Sequence, residues 1–592
     1  MLSVPRPGAL IILAALFAVA LALPFFAGPY AVKFATRVII LAIFVVSLDF
    51  LIGITGLVSF GHGMFLGLGA YAIYFISPED APANAFIAFP LAMLAAGVAA
   101  VIIGALAVLT RGFYFIMVTL AFGQMLYSLF HDTRIAGGSD GAYINVKPEF
   151  AFFGTPLLDL DHRIGFFYLC LALLALSYLF LLWLARTPVG RVLQAIRWNE
   201  ARSRALGFNT YAHKLMSFAV AGTVGGLAGA LFASLDGYIT PDLFGWRQSG
   251  LAIMMVVLGG VGTLFGPVLG ALAYAMIEEI LKTPSWVGPV ADHWSMALGF
   301  ILIVAVLVAP HGLAGLLGRE RKAAPHAALV TPFRPRMRRP QRGKELETEN
   351  LSRNFGGLVA VDKVTLKLAP NRVHGIIGPN GAGKTTLINL LSGELKPSNG
   401  RIRLDGADIA GRSPYAIARR GLGRSYQRTN VVLPFTGREN CLIAAHARHP
   451  SLLRLSRRRH AREEAANIAY ALEAVGLSDR ADLRAAHLSH GEQRQLEIAM
   501  LIASGAKLLV LDEPLAGMGP EETGRVTNLL RELAADHTII LIEHDIDAIF
   551  AAADTLTVLV GGRVIAHGDP AVIRRDPAVR AAYLGRYGEV AA

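Results

Sequence analysis

Apolar and polar residues are distributed unevenly along the chain. Residues 1–317 are dominated by long, glycine-rich apolar runs, whereas residues 346–592 have the mixed polarity of a cytosolic domain. A helix needs roughly 20 apolar residues to cross the hydrocarbon of a membrane. The apolar runs lie at approximately residues 8–27, 37–55, 57–77, 85–108, 112–130, 165–185, 213–235, 249–280 and 295–317. The pattern predicts a membrane domain of about nine or ten hydrophobic helices, followed by a basic, proline-rich linker at 318–345 and a soluble domain. The first run could be a cleaved signal peptide, but its length and the spans that follow it favour an uncleaved helix.

The charged residues between the apolar runs predict the orientation of the membrane domain. The segment 186–212 has five arginines and a single acid, Glu200, whereas the segment 131–164 has five acids and three bases. Because cytoplasmic loops are enriched in Lys and Arg, we expect 186–212 to face the cytoplasm and 131–164 to face the outside. This topology also accounts for much of the net charge of +12 without a nucleic-acid partner.

The run at 249–280 does not fit this topology as a simple crossing. Both of its ends must face the outside, yet two full crossings would need about 40 residues. Its centre, Gly259–Pro267, contains four glycines and a proline, which predicts two short helices that meet at a break. Such a break is tolerated at membrane depth only inside protein or beside a cavity. The stretch Gly53–Gly69 has the same character, and its His62 either packs between helices or contacts a transported solute.

Residues Gly378–Thr385 form a complete G-x-x-x-x-G-K-[ST] loop. An apolar strand at 372–377 precedes the loop and a helix at 386–391 follows it, which is the context in which this motif binds nucleotide phosphates. The glycines let backbone N–H groups close around phosphate, and the helix N-terminus adds its positive dipole. We expect Lys384 to reach the β- and γ-phosphates and Thr385 to ligate Mg²⁺.

Further motifs downstream have the residue types that nucleotide hydrolysis requires. Asp512 and Glu513 end an apolar strand, so Asp512 can hold the Mg²⁺ shell while Glu513 polarises the attacking water. The segment Leu488–Gln493 opens a helix whose first N–H groups can meet a γ-phosphate. Gln427 lies between the two halves of this site, and His544 follows a second apolar strand. Each motif alone could be structural, but their order and spacing together predict an ATPase.

Several stretches of the membrane half carry a family resemblance: Asp49–Gly63, Arg111–Phe115, Thr119–Gly123 and Gly137–Gly141. Together they resemble the permease of branched-chain amino acid ABC importers, over nearly all of residues 30–317. Residues Gly190–Asn209 resemble the cytoplasmic loop through which such permeases dock onto their ATPase. The alternative for this loop is a solvated basic segment without a docking role.

The soluble half is similar to the ATP-binding subunit of the same importers, through Phe355–Val361 and the motifs above, over residues 346–588. The resemblance implies that Phe355 stacks on adenine, that Gln427 senses the γ-phosphate and couples to the membrane domain, and that His544 contacts the γ-phosphate. It also implies that the signature of one ATPase completes the phosphate loop of another. The implied nucleotide-binding residues are Phe355, Gly378, Asn380, Gly381, Gly383, Lys384, Thr385, Thr386, Gln427, Ser489 and Gly491, and the implied Mg²⁺ ligands are Thr385, Gln427 and Asp512.

The chain departs from the family pattern in two places. His490 and Glu492 replace a glycine and the glutamine of the usual Leu-Ser-Gly-Gly-Gln signature, although Ser489 and Gly491 are kept. Gly519 stands where many relatives have Asp or Asn, which bears on communication between the two ATP sites.

The resemblances imply a polytopic α-helical membrane domain, residues 1–317, followed by an α/β P-loop ABC ATPase domain, residues 346–592. Such a chain would import branched-chain amino acids or related small polar or amide solutes across a bacterial inner membrane, driven by ATP. The expected partners are a second permease, a second unfused ATPase, a periplasmic solute-binding protein and membrane lipid, without nucleic acid. The alternatives are a homodimeric exporter half-transporter, an importer of urea or small aromatic acids, and a membrane-tethered ATPase that transports nothing.

Overall fold

The computed structural model describes residues 7–152, 155–317, 342–427, 429–452, 455–456, 460–516 and 518–581. Most of the expected linker, residues 318–341, lies outside the described residues. The chain forms two compact units, one made of residues 1–197 and 211–321 and the other of residues 198–210 and 322–592. A short segment from the first half of the sequence therefore belongs to the second unit.

The first unit is built from helices, as the apolar runs predict. Six helices among the described residues are long and apolar enough to cross a membrane, which makes the chain a multi-pass membrane protein. The helices up to the linker are α1 Pro7–Phe26, α2 Pro29–Asp49, α3 Gly63–Ile76, α4 Ala85–Ala107, α5 Phe113–Asp132, α6 Arg163–Arg186, α7 Pro188–Trp198, α8 Glu200–Leu206, α9 Thr210–Asp236, α10 Trp246–Gly259, α11 Gly266–Lys282, α12 Pro284–Val287, α13 Trp294–Val308 and α14 Gly312–Leu317. Short strands in the connections are β1 Ala142–Tyr143, β2 Glu149–Phe152, β3 Thr155–Asp159 and β4 Tyr238–Ile239.

The break predicted inside the run 249–280 is confirmed. Helix α10 ends at Gly259 and α11 begins at Gly266, and the two helices pack against each other as a hairpin. Gly262 at the tip has a φ of 80°, and Leu264 has a φ of 60°, which a branched side chain rarely adopts. The 14 residues of α10 rise only about 21 Å, which is less than the roughly 30 Å of hydrocarbon.

A buried carboxylate holds this tip in place. Asp49 is fully buried at the end of α2, and its two oxygens accept hydrogen bonds from the N–H groups of Gly262 at 2.6 Å and Leu264 at 2.9 Å. After Asp49 the chain continues as one π-helical turn, Phe50–Thr55. A Cβ on Gly53 in this turn would lie 2.3 Å from Cα of Gly262. The backbones therefore touch, and only glycine fits at position 53.

His62 lies in the second interrupted stretch, where the helix is broken before α3. Its ring is fully buried, its Nε2 is 2.8 Å from Oγ of Ser47, and it stacks on Phe44 with ring centroids 5.1 Å apart. These contacts fit a packed core histidine, the first of the two interpretations of the sequence, while its Nδ1 has no hydrogen-bond partner among the described residues.

The second unit contains a six-stranded sheet and a four-stranded antiparallel sheet. The six-stranded sheet has the order β10-β11-β12-β7-β13-β14 and is parallel except at its β13–β14 edge. The strands of this unit are β5 Leu346–Phe355, β6 Leu358–Leu368, β7 Val373–Ile377, β8 Asn399–Leu404, β9 Ala407–Asp408, β10 Leu422–Arg424, β11 Leu508–Asp512, β12 Thr538–Ile542, β13 Thr555–Val560 and β14 Arg563–Gly568. Its helices are α15 Lys384–Leu391, α16 Pro414–Arg419, α17 Gly437–His446, α18 Ala461–Ala474, α19 His490–Ser504, α20 Pro520–Ala534, α21 Ile546–Ala552, α22 Pro570–Ile573 and α23 Pro577–Val579.

The topology of the parallel sheet gathers the predicted motifs. Strands β11, β12 and β7 are neighbours, and the carboxyl ends of parallel strands meet at one edge of a sheet, where ligands of α/β folds bind. The phosphate loop follows β7, the acid pair ends β11, and His544 follows β12. The prediction of three apolar strands, which precede the phosphate loop, the acid pair and His544, is confirmed.

We predict that Asp49→Asn destabilises the membrane unit. Asparagine keeps the volume but offers a single acceptor oxygen, so one buried N–H of the tip loses its partner, at about 1–3 kcal/mol. Cys170 and Cys441 are the cysteines of the chain and both are buried. In a Cys441→Ala background, the reaction of Cys170 with a thiol-reactive dye during heating therefore reports unfolding of this unit.

The matched control is Asp140→Asn, which alters an exposed loop carboxylate. We expect a lower unfolding temperature for Asp49→Asn alone. Equal unfolding temperatures for the two variants would show that the carboxylate does not support the tip.

Candidate functional site

The phosphate loop has the geometry that anion binding requires. It joins β7 to α15, and Gly381 and Gly383 have φ values of 82° and 96°, in the left-handed region. A Cβ on Gly383 would lie 2.3 Å from the carbonyl oxygen of Ala360, so the close approach excludes other residues. Helix α15 begins immediately after Gly383. The loop therefore ends at a helix N-terminus, where backbone N–H groups and the helix dipole favour phosphate.

Lys384 folds back along the loop. Its Nζ donates hydrogen bonds to the carbonyl oxygens of Gly378 at 2.6 Å and Pro379 at 3.1 Å. Burial lowers the pKa of this ammonium, and the nearby carboxylates of Glu513 and Asp512 oppose that shift. The ammonium is thus held over the loop on the side of the acid pair.

The acid pair occupies the end of β11. Burial raises the pKa of Asp512, and the Arg424 guanidinium, 3.9 Å away, counters the shift. Glu513 has a φ of 51°, a strained conformation for a non-glycine residue. This conformation turns its side chain away from the strand direction and towards its neighbours in the site.

The structure brings Gln427, Glu513 and His544 together. Nε2 of His544 lies 2.9 Å from one carboxylate oxygen of Glu513, and Nε2 of Gln427 lies 3.2 Å from both. A carboxylate that a ring nitrogen and an amide orient in this way can hold a water molecule for attack on phosphorus. Three residues predicted separately thus form one cluster.

The signature segment adopts a helix cap that explains its departure from the family pattern. Ser489 caps α19: its Oγ accepts from the N–H of Glu492 at 3.3 Å, and a Glu492 carboxylate oxygen accepts from the N–H of Ser489 at 2.8 Å. This is a reciprocal capping box. Arg480 lies 2.9 Å from the same carboxylate. The hydrogen bonds of Glu492 therefore hold the turn at the start of α19. The Ser489 hydroxyl is an acceptor in this cap, so its proton is available for donation to a ligand.

Phe355, the expected adenine platform, ends β5. The residue is 42% exposed, and the guanidinium carbon of Arg353 lies 4.7 Å from the ring centroid. One face is thus covered by a cation–π contact, and the exposed surface remains accessible to a planar base.

Sequence reasoning missed Arg202, which has the lowest exposure of the arginines and lysines described in the second unit. It lies on α8, in the segment 198–210, and is 1% exposed. Its NH1 donates to the carbonyl oxygen of Arg424 at 3.0 Å, and its NH2 donates to the carbonyl oxygen of Glu497 at 3.1 Å. NH1 also lies 3.5 Å from the Glu497 carboxylate. The segment 198–210 is therefore tied to the core of the unit that holds the nucleotide residues.

Glu497, the partner of Arg202, is connected to Gln427 through hydrogen bonds of Tyr426 and Arg494. The Glu497 carboxylate accepts from the N–H of Tyr426 at 3.2 Å and lies 3.3 Å from NH1 of Arg494. Arg494 donates to the carbonyl oxygens of Tyr426, at 2.6 Å, and of Gln427. Burial raises the pKa of Glu497 and lowers that of Arg202, and each charge opposes the shift of the other. One signal was available in the sequence, since Glu497 is the single charged residue in the apolar run Leu496–Ala503.

Sequence reasoning also missed Glu543, which supports the acid pair from the end of the neighbouring strand β12. It precedes His544, and its carboxylate accepts from the N–H of Leu515 at 2.7 Å. Burial raises its pKa to about 7. The contact fastens the turn after Glu513 to the end of β12.

Different protein families match the two halves of the chain, and the boundary between the matches falls where the composition changes. Residues 30–307 match the family described as branched-chain amino acid transport system, permease component; residues 361–516 match the ABC transporter family, and residues 563–589 match the branched-chain amino acid ATP-binding cassette transporter family. The chain is 41% identical over 249 residues to the high-affinity branched-chain amino acid transport ATP-binding protein BraF of Pseudomonas aeruginosa, which covers 40% of this chain and 97% of the relative.

A second relative matches the other half. The chain is 30% identical over 321 residues to the high-affinity branched-chain amino acid transport system permease protein LivM of Salmonella typhimurium, covering 51% of this chain and 74% of the relative. Among solved structures, an ATP-binding cassette of an ABC transporter in its ADP conformation is 32% identical, with a TM-score of 0.37, over 41% of this chain and 99% of that chain.

We predict that Glu513→Gln reduces ATP turnover by about 100-fold or more while nucleotide still binds, because the amide cannot accept a proton from the attacking water. Lys384→Ala should instead weaken nucleotide binding itself, because it removes the positive charge above the loop. Steady-state phosphate release by the chain assembled with its expected partner subunits, and binding of a fluorescent ATP analogue, separate the two effects.

The matched control for Glu513→Gln is Glu473→Gln, which makes the same change on the exposed face of α18 and should leave both measurements unchanged. Near-normal turnover by Glu513→Gln would remove Glu513 from the catalytic role.

Proposed function

The chain belongs to the family of branched-chain amino acid ABC transporters, and we propose that it combines permease and ATPase in one polypeptide that imports branched-chain amino acids. Separate permease and ATP-binding relatives match its two halves in succession. The observation that carries the coupling is the place of residues 198–210, which come from the permease half of the sequence but belong to the compact unit of the nucleotide residues.

The residues of the phosphate loop fit an ATP–Mg²⁺ ligand. Gly381 and Gly383 hold the backbone in a concave turn at a helix N-terminus. Thr385, Gln427 and Asp512 offer the hydroxyl, amide and carboxylate oxygens that Mg²⁺ prefers. Bound Mg²⁺ neutralises charge on the β- and γ-phosphates.

The chain's own residues divide the remaining work of hydrolysis. Lys384 binds phosphate oxygens as a point charge, Glu513 accepts the proton of the attacking water, and His544 and Gln427 orient the Glu513 carboxylate. Ser489 and Gly491, at the start of α19, complete the site of a second ATPase in trans. Phe355 stacks on the adenine.

The network around Arg202 supports a coupling route. Glu497 contacts Arg202 of α8 on one side and the backbone of Tyr426 on the other, and Gln427, the next residue, contacts Glu513. A change at Gln427 on ATP binding or hydrolysis would shift α8, and α8 continues through the chain into the membrane helices. Residues 190–209 act in this way as the docking loop of the permease.

The arrangement of the chain further supports a membrane domain at 1–317, a linker at 318–345 and an ATPase domain at 346–592. The linker has eight Arg or Lys residues between positions 319 and 342, which suits a tether on anionic lipid headgroups. The ATPase then lies on the cytoplasmic side of the inner membrane, because residues 198–210 of the arginine-rich segment 186–212 belong to the same compact unit.

Branched-chain amino acids are favoured over urea or small aromatic acids because both matched relatives carry that substrate in their names. An exporter half-transporter is disfavoured by the short broken hairpin of α10 and α11, which does not form two long crossings. A tethered ATPase without transport is disfavoured by the matched permease family over residues 30–307.

We predict that Arg202→Lys uncouples transport from hydrolysis. Lysine keeps the charge beside Glu497, but a single ammonium cannot replace a planar guanidinium that donates to two separate carbonyl oxygens. In proteoliposomes of the transporter assembled with its partner subunits, we expect ATPase activity to persist while the leucine imported per ATP hydrolysed falls. Arg204→Lys, on the same helix and outside this network, is the matched control. Parallel loss of both activities would indicate a purely structural role for Arg202.

We also propose that the working transporter is a heteromer. A composite ATP site needs two ATPases, and a pathway between permeases needs two membrane domains, while this chain supplies one of each. A second permease, an unfused ATPase and a periplasmic binding protein complete it. The purified chain alone in lipid should hydrolyse little ATP, and co-expression with these subunits should restore activity stimulated by leucine-loaded binding protein. Robust leucine import by this chain with a binding protein alone would establish the homodimer instead.

A further inference from the structure

A large cavity opens inside the membrane unit. Its volume is about 1230 Å³, and it is lined by residues of α2, α9, α10 and α11. The ends of these helices gather at its mouth: the start of α2, the end of α9, the start of α10 and the end of α11. Ionisable residues within membrane segments face such cavities and mark solute pathways.

One group of charged residues at the mouth has an excess of positive charge. Lys33 and Arg37, one helical turn apart on α2, share the single carboxylate of Asp236, at 3.3 Å and 3.7 Å. Two cations and one anion leave a formal charge of +1. Arg37 also lies 5.6 Å above the ring of Phe232.

A second group has the opposite excess. Glu278, Glu279 and Lys282 lie in the last turn and a half of α11, with Lys282 Nζ donating to Glu278 at 2.6 Å. Two anions and one cation leave a formal charge of −1. Tyr30 of α2 donates its hydroxyl proton to Glu279 at 2.5 Å.

The two groups lie within reach of one small ligand. Tyr30 and Lys33 are three residues apart on α2, so their Cβ atoms are roughly 5–6 Å apart, and the Tyr30 bond places Glu279 beside that turn. The remaining charged residues of the lining, Asp242 and Arg247, have opposite formal charges that sum to zero. The cavity therefore presents a cationic and an anionic centre side by side.

The wall below these centres is apolar. Phe34, Leu41 and Phe44 follow Lys33 down α2, and Leu251 and Met255 face the cavity from α10. From Lys33 to Phe44 the helix rises about 16 Å. A ligand with a charged head and an aliphatic tail matches this order of residues.

We propose that this cavity is a binding subsite for α-amino acid zwitterions in the permeation pathway. The α-carboxylate binds Lys33 and Arg37, the α-ammonium binds Glu279, and the aliphatic side chain packs towards Phe44 and Met255. The inference rests on the proposed import function and names the part of the membrane unit that contacts the solute.

The existing ion pairs suit a transient site. Lys33 and Arg37 have more than half of their side-chain surface exposed, and exposed pairs contribute about 0–1 kcal/mol. A ligand can replace them at little cost, and a pathway must bind its solute weakly enough to release it. The competing explanation is that these side chains extend to lipid headgroups, and the experiment separates the two.

The test uses a single reactive cysteine inside the cavity. The native Cys170 and Cys441 are buried, so Leu251→Cys adds the accessible thiol. We would measure its reaction rate with a polar thiol reagent in the full chain in lipid nanodiscs and in the assembled transporter. Leucine at about ten times its Kd should slow labelling about tenfold, since occupancy protects in proportion to [L]/Kd. Isovalerate and isoamylamine, which each have one of the two charges, should protect far less.

Charge variants in the same background test the two centres. Lys33→Ala combined with Arg37→Ala, or Glu279→Gln alone, should abolish protection by leucine. The matched control is Lys147→Ala, which breaks a 3.2 Å ion pair with Asp161 in a loop outside the cavity lining and should preserve protection. The exchange Lys33→Glu with Glu279→Lys should restore part of it, which shows that loss in the single-centre variants is not misfolding.

The outcomes are distinguishable from those for the proposed function. Import of leucine by the assembled transporter without protection of Leu251→Cys would overturn the subsite and leave the import function standing. Protection without leucine import would support the subsite and contradict the import function. Equal protection by leucine and isovalerate, or protection that survives the charge variants, would overturn the zwitterion assignment.

Discussion

The membrane unit depends on one requirement, that backbone N–H groups at membrane depth find acceptors inside the protein. The Asp49 carboxylate meets it where α10 and α11 leave helical geometry, by accepting from Gly262 and Leu264. Burying a carboxylate is costly unless it is hydrogen bonded, so the acid and the broken hairpin stabilise each other. Gly53 allows the close approach, and Arg197 donates to the Gly53 carbonyl oxygen from the end of α7.

A related requirement, that buried polar groups find hydrogen-bond partners, shapes the second unit at Arg202. Its guanidinium donates to the carbonyl oxygens of Arg424 and Glu497, while the Glu497 carboxylate balances its charge. A buried pair of this kind contributes little net stability, but removing one partner costs about 3–5 kcal/mol. The interaction therefore specifies the position of α8 more than it stabilises the fold. A segment that docks one domain onto another needs a defined position, because a shift of one domain can move the other only through a fixed contact.

In the nucleotide site, a residue with a strained backbone is held in place by its neighbours. Glu513 is held in a left-handed backbone conformation, and Gln427 and His544 contact its carboxylate. Such conformations persist where the surroundings over-determine them. Glu543 supplies part of that support through Leu515, and Ser489 and Glu492 fix the start of α19 through the capping box. The signature substitution is thus compatible with a formed helix cap.

The sequence by itself determined the division into a membrane part and an ATPase part, the break at 259–266, and the choice of Lys384, Asp512 and Glu513 as candidate nucleotide residues. These depend on local patterns: runs of apolar residues, glycine-rich turns and motifs fixed to one strand and helix. Tertiary structure alone decided that Asp49 holds the hairpin tip, that Arg202 is buried beside Glu497, and that Lys33 and Glu279 share a cavity. Each of these pairs joins residues far apart in the chain, and their meeting depends on how helices and strands pack, which periodicity and spacing do not encode.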